Sequence, residues 1–328
     1  MSKENLNSET RKKLYFEMLR IRAYEDYIAK EYPQQEMRCP VHLSIGQEAV
    51  PAALSQILEI EDLAVSTHRS HAHYLAKGGS GKRFIAELYG KETGCSGGKG
   101  GSMHLIDLSV GFKGSTAIVG NTIPIGVGLG LAIKLNKQKN IAVIYLGDGA
   151  VEEGVFYEAV NFAALKNLPV LFVCENNLYS VYSSLKVRQP ENREIYKMVE
   201  AMGIETSYCD GNDVEASYNH LNNVVEKMKS DSRPHFVELP TYRWLEHCGP
   251  NYDNHIGYRT EEEFLKWKNQ DPIALHEQVL LNDNIITMDE ISEFKEKIDR
   301  EVTEAFDFAK ESKFPKQSEA FKHLYKEN

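Results

Sequence analysis

The stretch "IAVIYLGDGAVEEGVFYEAVNFAALKNLPVLFVCENN" at residues 141–177 decides the fold. It contains two uninterrupted apolar runs, at 141–146 and 169–174, which are typical of parallel strands buried on both faces. The segment 152–166 between them has apolar side chains at helical spacing, as the crossover between two parallel strands requires. The first run is followed by "GDG" and the second by "ENN". The stretch therefore predicts a strand, helix, strand unit with polar groups at the carboxyl end of each strand.

Asp148 and Asn177 are the polar residues of greatest interest, because open α/β sheets bind ligands at the carboxyl ends of their strands. The crossover lays the second strand beside the first, so we expect these two side chains to meet. Carboxylate, amide and backbone carbonyl oxygens suit Mg²⁺, which completes its coordination with phosphate and water. The simpler alternative is that Asp148 caps a helix and the asparagines form a turn. The occurrence of both motifs after consecutive strands favours a metal-diphosphate site.

Composition excludes two classes of function. The net charge of −10 leaves no basic stripe for a phosphate backbone, so nucleic acid is not an expected partner. No apolar run reaches the roughly 18 residues of a membrane span, so no membrane partner is expected either. The five cysteines contain no CxxC pair, which indicates neither a disulfide framework nor a zinc site. We therefore expect a cytoplasmic protein.

The whole chain, residues 1–328, is predicted to form one diphosphate-binding domain of the three-layer α/β class, built on a parallel sheet with added terminal helices. We expect a leading helix within residues 1–35 and an α/β core with its cofactor loops in 36–250. Residues 251–328 are rich in Lys and Glu with scattered apolar positions, which predicts a C-terminal helical extension.

Two further features refine this prediction. The run "HFVELP" at 235–240 predicts a third buried strand, whereas residues 40–130 read as short helices joined by loops rich in glycine and histidine. The pattern "GVGLG" at 126–130 lacks the GxGxxG spacing of a dinucleotide site. It predicts a close-packed helix behind the ligand.

With these motifs read, the chain resembles the α subunit of the thiamine-dependent first component of 2-oxo acid dehydrogenases, the pyruvate and acetoin dehydrogenase group. Six further blocks follow in the order of that family: "HLSIGQEAV" at 42–50, "HRSHAHYLAKG" at 68–78, "ELYGKETGCSGGKGGSMH" at 87–104, "IVGNTIPIGVGLGLAIK" at 118–134, "TYR" at 241–243 and "GYRTEEE" at 257–263. The resemblance implies an oxidoreductase that uses thiamine diphosphate and Mg²⁺ to decarboxylate a 2-oxo acid, or to cleave acetoin. The two-carbon unit would pass to lipoamide.

The resemblance also assigns ligands to the metal and the diphosphate. It implies that Asp148 and Asn177 bind Mg²⁺ through their side chains and that Tyr179 binds it through its backbone carbonyl. Gly149 and Ala150 would offer backbone amides to the diphosphate.

Further cofactor contacts follow from the same resemblance. Arg69 would clamp the diphosphate, since a guanidinium grips phosphate oxygens in pairs. Its neighbour, usually tyrosine, is here His68, whose imidazole can still donate one hydrogen bond. Ala117 and Val119 would hold the aminopyrimidine ring.

Two histidines are candidate catalytic residues. The resemblance places His42 and His247 at the mouth of the active site, with His247 also near the diphosphate, and either could donate to a developing carboxylate or alkoxide. A single histidine in a loop is more often a surface or capping group. We expect that simpler role for His71, His73 and His104.

The resemblance implies partner proteins as well. In this family the glutamate opposite N1′ of the aminopyrimidine belongs to a separate β subunit, so we expect an α2β2 assembly and a possible lipoyl-bearing acyltransferase. Glu48 is the nearest candidate for that glutamate by sequence, but it is expected to brace its own helix.

Two loops depart from the family pattern. In the loop 244–258, Glu246 and Cys248 replace the glycine and the regulatory serine of pyruvate dehydrogenases, so phosphorylation there is in doubt. The loop "NLYSVYSSLKVRQPENR" at 177–193 is also unusual. Two alternatives therefore stay open: a thiamine enzyme that transfers the activated aldehyde to a carbonyl or sugar acceptor, and a Mg²⁺-binding scaffold subunit without turnover.

Overall fold

The computed structural model describes residues 6–322, and its centre is a six-stranded parallel sheet. The strands of the chain are β1 (Leu63–Ser66), β2 (Phe112–Ser115), β3 (Ala142–Gly147), β4 (Val170–Asn176), β5 (Tyr179–Ser180), β6 (Ser183–Ser184), β7 (Glu205–Tyr208) and β8 (His235–Pro240). The sheet order is β2-β1-β3-β4-β8-β7, while β5 and β6 form a separate antiparallel hairpin. The predicted strands at 141–146, 169–174 and 235–240 are thus confirmed as neighbours in one parallel sheet.

The apolar runs are continuous because each strand of the centre is covered on both faces. In β3, Ile144 and Leu146 contribute to the core on one side of the sheet, and Val143 and Tyr145 to the core on the other. The neighbouring strand β4 alternates in the same way. A strand buried on both faces has no polar face to show in its sequence, so the predicted three-layer α/β class is confirmed.

Helices form the outer two layers. They are α1 (Ser8–Glu31), α2 (Ala49–Ser55), α3 (His71–Ala76), α4 (Gly81–Leu88), α5 (Thr122–Leu135), α6 (Gly154–Lys166), α7 (Leu185–Arg188), α8 (Ile195–Glu200), α9 (Val214–Asp231), α10 (Glu261–Lys268), α11 (Pro272–Asn282) and α12 (Met288–Glu311). Helix α5 carries the "GVGLG" pattern and lies directly on the sheet. A Cβ on Gly126 would lie 2.3 Å from Ile144 Cγ1, and one on Gly130 would lie 2.3 Å from Val170 Cγ2. These glycines allow the helix to approach β3 and β4 closely, as the sequence predicts.

The leading helix and the C-terminal helices join the same core as the sheet. Ile21 and Ile28 of α1 pack in one cluster with Ile298 and Phe306 of α12. Residues 1–5 and 323–328 of the predicted terminal segments lie outside the described residues.

Some local expectations were wrong. The region 40–130 contains strands β1 and β2 in addition to short helices; both are four residues long, which is too short for period-two alternation to show. The helix expected from residue 152 begins at Gly154, after a 3₁₀ turn at Asp148–Glu152.

Topology places the carboxyl ends of the central strands side by side. In the register of the sheet, Gly147 at the end of β3 lies opposite Glu175 of β4, and Asn176 lies opposite Pro240 of β8. The chain leaves β1, β3, β4 and β8 along this one edge, so residues far apart in sequence meet there. In the described part of the chain, no helix combines the length and the apolar character that a membrane crossing needs.

Candidate active site

The predicted site residues lie in the loops that leave these strand ends. His68 and Arg69 follow β1, Asp148 follows β3, and Asn177 follows β4. Together with His247 they line a cavity of about 110 Å³ at the edge of the sheet. The apolar runs of the sequence located Asp148 and Asn177, whereas His68, Arg69 and His247 were assigned through the family resemblance.

Asp148 and Asn177, here called the strand edge, lie within hydrogen-bond distance of each other, although the contact is made by the backbone of Asn177 and not by its side chain. The backbone N–H of Asn177 donates to Asp148 Oδ1 at 3.3 Å, and the Asp148 side chain is only 2% exposed. Burial raises the pKa of Asp148, while the charge of Arg188 opposes that shift. The other carboxylate oxygen, Oδ2, forms an ion pair with Arg188 Nη2. Arg188 is a site residue that the sequence analysis missed, because no helical or strand period places a residue 40 positions away beside Asp148.

Tyr179 is held beside the strand edge by its backbone and by its ring. Its N–H donates to Asn177 Oδ1 at 3.2 Å, and its hydroxyl donates to Glu263 Oε1 at 2.7 Å. Between them, Leu178 adopts a left-handed φ of 72°. The chain turns sharply here, which brings the backbone of Tyr179 back to the strand end.

His42, His68 and His247 form a second group, here called the imidazole cluster. Their ring centroids lie 4.6 Å (His42 to His68), 5.0 Å (His42 to His247) and 5.2 Å (His68 to His247) apart. Their nearest ring nitrogens all lie within 4.8 Å of one another. The Nδ1 atom of His42 is buried and has no hydrogen-bond partner among the described residues.

Arg69 lies next to the imidazole cluster and is held by backbone carbonyls. Its Nη1 donates to the carbonyl of Leu43 at 2.5 Å, and its Nη2 donates to the carbonyl of His247 at 3.2 Å. Within the described residues it has no carboxylate at ion-pair distance. Burial, followed by the charge of Arg243, lowers the pKa of Arg69 to about 9.

The same burial keeps the imidazole cluster neutral. Burial, reinforced by the charge of Arg69, lowers the pKa of His42 to about 2 and those of His68 and His247 to about 3. At neutral pH each ring therefore has one N–H donor and one acceptor nitrogen. Arg69, His68 and His247 line this part of the cavity wall. Among the described residues none of the three has a carboxylate at ion-pair distance, which is an arrangement suited to an anion.

Two supporting carboxylates have different roles. Glu48 is fully buried; its oxygens accept from Arg22 Nε at 2.5 Å and Nη2 at 2.9 Å, and one also accepts from Gly46 N at 3.0 Å. It braces the start of α2 against α1. Glu175, which the sequence analysis did not assign to the site, lines the cavity and pairs with His73 Nε2 at 3.0 Å. Its proximity to the "NN" motif was the only signal for it.

The remaining predicted residues differ in whether they line the cavity. Gly149 and Ala150 line the cavity within the 3₁₀ turn. Val119 lines it from the loop after β2 and is 44% exposed, and its neighbour Ile118 is 64% exposed. Ala117 and His42 are not among the lining residues. Ala117 lies two residues before Val119 in the same loop, and the ring of His42 packs against those of His68 and His247, which do line the cavity.

The loop 244–258 that carries His247 is closed by internal hydrogen bonds. Glu246 Oε1 accepts from Asn251 N at 2.9 Å and from its side-chain amide at 2.8 Å. A Cβ on Gly249, at φ 128°, would lie 2.2 Å from Glu246 Oε1. The Glu246 substitution noted in the sequence thus supplies the closing contact of this loop.

Fold and cavity together define a three-layer parallel α/β domain with its site at the strand ends. The profile of the family described as "Dehydrogenase E1 component" matches residues 16–318. The chain therefore belongs to the dehydrogenase E1 component family.

Curated relatives agree with this assignment and are α subunits. The chain is 38% identical over 313 residues, 95% of each chain, to pyruvate dehydrogenase E1 component subunit alpha of Rickettsia bellii. It is 33% identical over 322 residues, 96% of this chain and 92% of the relative, to the protein of the same name from Porphyra purpurea. It is 34% identical over 318 residues, 95% of this chain and 73% of the relative, to pyruvate dehydrogenase E1 component subunit alpha-3, chloroplastic, of Arabidopsis thaliana. The predicted family and enzyme class are confirmed: the chain is an α subunit of a thiamine diphosphate-dependent 2-oxo acid dehydrogenase, an oxidoreductase that works with a β subunit.

Proposed function

We propose that this chain binds the Mg²⁺-diphosphate end of thiamine diphosphate, acts on pyruvate or acetoin, and passes the two-carbon unit to lipoamide on a lipoyl-bearing acyltransferase. One observation carries the proposal. A single cavity has the Asp148 carboxylate on one side and Arg69 with neutral imidazoles on the other. A metal-bound diphosphate has the matching pair of charges. The names of the relatives support pyruvate as the substrate.

The strand edge fits Mg²⁺. Its donors are the carboxylate of Asp148 and the amide oxygen of Asn177, which a backbone hydrogen bond already holds together. Mg²⁺ prefers such oxygen ligands and is usually held by one or two protein groups plus phosphate. The carbonyl of Tyr179, whose N–H is fixed on Asn177 Oδ1, is the proposed third protein ligand.

The opposite side of the cavity fits the diphosphate. Arg69 is buried and aimed by two carbonyls, and a guanidinium in this environment gains strongly from a phosphate partner. His68 and His247 lie beside it as neutral hydrogen-bond donors. Gly149 and Ala150 would add backbone amides from the 3₁₀ turn.

The histidines are the proposed acid–base groups of this chain. Thiamine diphosphate supplies the carbon nucleophile and the electron sink for decarboxylation. His42 and His247, being neutral, can each donate a hydrogen bond to a substrate oxygen as negative charge develops there. Because burial keeps their pKa values low, neither holds an extra positive charge that would bind the substrate carboxylate too tightly.

Three features of the structure support a requirement for the β subunit. The cavity of about 110 Å³ is smaller than the roughly 300 Å³ needed by an ordinary small-molecule ligand, so most of the cofactor must lie outside it. Glu48 is bound to Arg22 and Gly46 and is unavailable to the aminopyrimidine. Exposed Ile118 and Val119 lie beside the opening, where an apolar partner surface would complete the site. We propose an α2β2 assembly, since closed symmetric oligomers are the common solution.

The test is to measure 2-oxo acid decarboxylation by the purified chain and by the chain reassembled with its β subunit. The isolated chain is expected to be inactive, because a missing acid–base carboxylate alone is worth about 10² to 10⁴ in rate. Reassembly should restore activity with Mg²⁺ and thiamine diphosphate, and lipoamide reduction should exceed transfer to an aldehyde or sugar acceptor. Robust decarboxylation by the isolated chain would show that this division of the active site is wrong.

The proposed location is the cytoplasm. All five cysteines are free thiols, at Cys39, Cys95, Cys174, Cys209 and Cys248, which is the usual state in a reducing compartment. Cell fractionation with an antibody to the chain checks this, and recovery with a membrane or exported fraction would contradict it.

A further inference from the structure

Arg188 is bonded to the carboxylate of Asp148, which is the proposed charged ligand of Mg²⁺. Its Nη2 forms an ion pair with Asp148 Oδ2, and its Nη1 lies 2.5 Å from Glu152 Oε1. Its Nε donates to the carbonyl of Ser183 at 3.0 Å. The Arg188 side chain is 10% exposed and that of Asp148 is 2% exposed. The pair is therefore almost fully shielded from solvent, and each guanidinium nitrogen of Arg188 has an acceptor.

The pair would compete with Mg²⁺ for the same carboxylate. Asp148 Oδ1 already accepts from Asn177 N, and Oδ2 is paired with Arg188. A metal ion at about 2.1 Å from either oxygen would place two cations beside one buried carboxylate. Repulsion between charges this close is strong where water is excluded. Arg188 and Mg²⁺ are therefore competitors for Asp148.

Glu152 can keep its ion pair with Arg188 when a metal ion binds Asp148. Glu152 Oε1 also accepts from Gln189 Nε2 at 2.9 Å, so two adjacent residues of the 177–193 loop are fixed on it. The side chain of Glu152 is 29% exposed, and it lies toward solvent from Asp148. A small rotation of the guanidinium would release Asp148 and keep the contact with Glu152.

The loop that carries Arg188 is under backbone strain. Val181 has a φ of 53°, which is rare for a β-branched residue. Its carbonyl accepts from Arg243 Nη2 at 2.7 Å. Strained residues held by surrounding contacts are typical of segments with two arrangements. The loop is thus anchored at Arg243, and its second anchor is the exchangeable contact with Asp148.

We propose that Arg188 and the metal ion are alternative partners of Asp148. In the cofactor-free chain the guanidinium neutralises the buried carboxylate, and on loading it moves onto Glu152 alone. A binding-competent state that must first lose a contact lowers the apparent affinity for the ligand. Arg188 therefore reduces the affinity of this chain for the metal-bound cofactor. This proposal rests on the proposed function, because the competing ligand is the Mg²⁺-diphosphate of the cofactor.

The test compares Arg188→Gln with Arg193→Gln in the full chain. Arg193 is an exposed cation of the same loop, so the control removes the same charge without touching Asp148. Cofactor-free Arg188→Gln should melt at a lower temperature than the control, because Asp148 loses its partner. Loaded with Mg²⁺ and thiamine diphosphate, parent and both variants should melt together. Calorimetry should then show Mg²⁺-dependent thiamine diphosphate binding roughly tenfold tighter in Arg188→Gln than in the parent.

The outcomes separate the competing explanations. Weaker cofactor binding in Arg188→Gln would make Arg188 a ligand of the cofactor and overturn the proposal, as would melting and affinity equal to those of Arg193→Gln. If Arg188→Gln does not fold, Arg188→Lys should show the same changes at smaller size, and an unchanged affinity there would equally overturn the proposal. Failure of the parent to bind thiamine diphosphate even with the β subunit would refute the proposed function and with it the exchange. The cofactor-free melting comparison with Asp148→Asn would still report whether the Arg188 pair stabilises the chain.

Discussion

The strand edge and the basic cluster formed by Arg69 and the three imidazoles both contribute to one cavity. They differ in whether an opposite charge is bonded to them. At the strand edge the buried carboxylate has a cation bonded to it, Arg188. In the basic cluster the buried guanidinium donates to two backbone carbonyls and, within the described part of the chain, pairs with no carboxylate, while burial keeps the imidazoles neutral. Under the proposals above, the strand edge exchanges a partner on binding, whereas the basic cluster is preorganised for an anion.

The largest effect is expected from Asp148→Asn. The amide keeps an oxygen for the N–H of Asn177 but loses the charge that binds the metal, so Mg²⁺-dependent thiamine diphosphate binding should weaken by more than about 10²-fold, beyond what changes outside the metal's own ligands usually cost. Near-UV circular dichroism should still report a folded chain. Isothermal titration calorimetry measures the affinity, and a value equal to that of the parent would remove Asp148 from the metal site.

Arg69→Lys tests the basic cluster. A lysine is a point charge and cannot hold the carbonyls of Leu43 and His247 while gripping two phosphate oxygens, so cofactor binding should weaken by about 1–3 kcal/mol. Arg83→Lys, at a partly exposed pair with Asp107, is the matched control and should leave the affinity unchanged. The same affinity in both variants would mean that Arg69 does not contact the diphosphate.

The sequence predicts a site residue best when that residue lies close to the end of a long strand. Asp148 and Asn177 follow long apolar runs directly, so periodicity and parallel topology place them together without further information. Arg188 comes from an irregular hairpin held by Val181 and Arg243, and its position depends on side-chain contacts that no sequence period encodes. Strands β1 and β2 were missed for a related reason, because short strands carry too few residues for a pattern.

Leu165 in α6 is a further residue whose surroundings the sequence pattern does not predict. The apolar residues of the segment 152–166 have helical spacing in the sequence, and in α6 Phe156, Val160 and Ala163 are buried. Leu165 is 71% exposed, because it lies two positions past Ala163 and points away from the sheet. Its apolar character therefore contributes nothing to the described core, and composition alone could not show this.

The smallest effect is expected from His68→Gln, measured as a change in the pH dependence of stability. The pKa of His68 is lowered to about 3 by burial and then by Arg69, so the unfolded chain binds the proton first as the pH falls. The parent is therefore stable above the unfolded value near 6.5 and loses stability below it, by about 1 kcal/mol per such histidine between pH 7 and pH 5.5. Urea unfolding of the cofactor-free chain should show a shallower loss in the variant. An identical loss would mean that His68 takes up a proton as readily in the folded chain as in the unfolded chain, so that its pKa is not lowered.

The small size of the cavity has a thermodynamic consequence for assembly. If this chain encloses only one end of the cofactor, the β subunit must contact the other end, and the two binding events are linked. Whatever factor the β subunit adds to cofactor affinity, the cofactor adds equally to the affinity between the subunits. The concentration at which the oligomer dissociates would then report cofactor status, and starvation for thiamine would weaken the complex itself as well as its turnover.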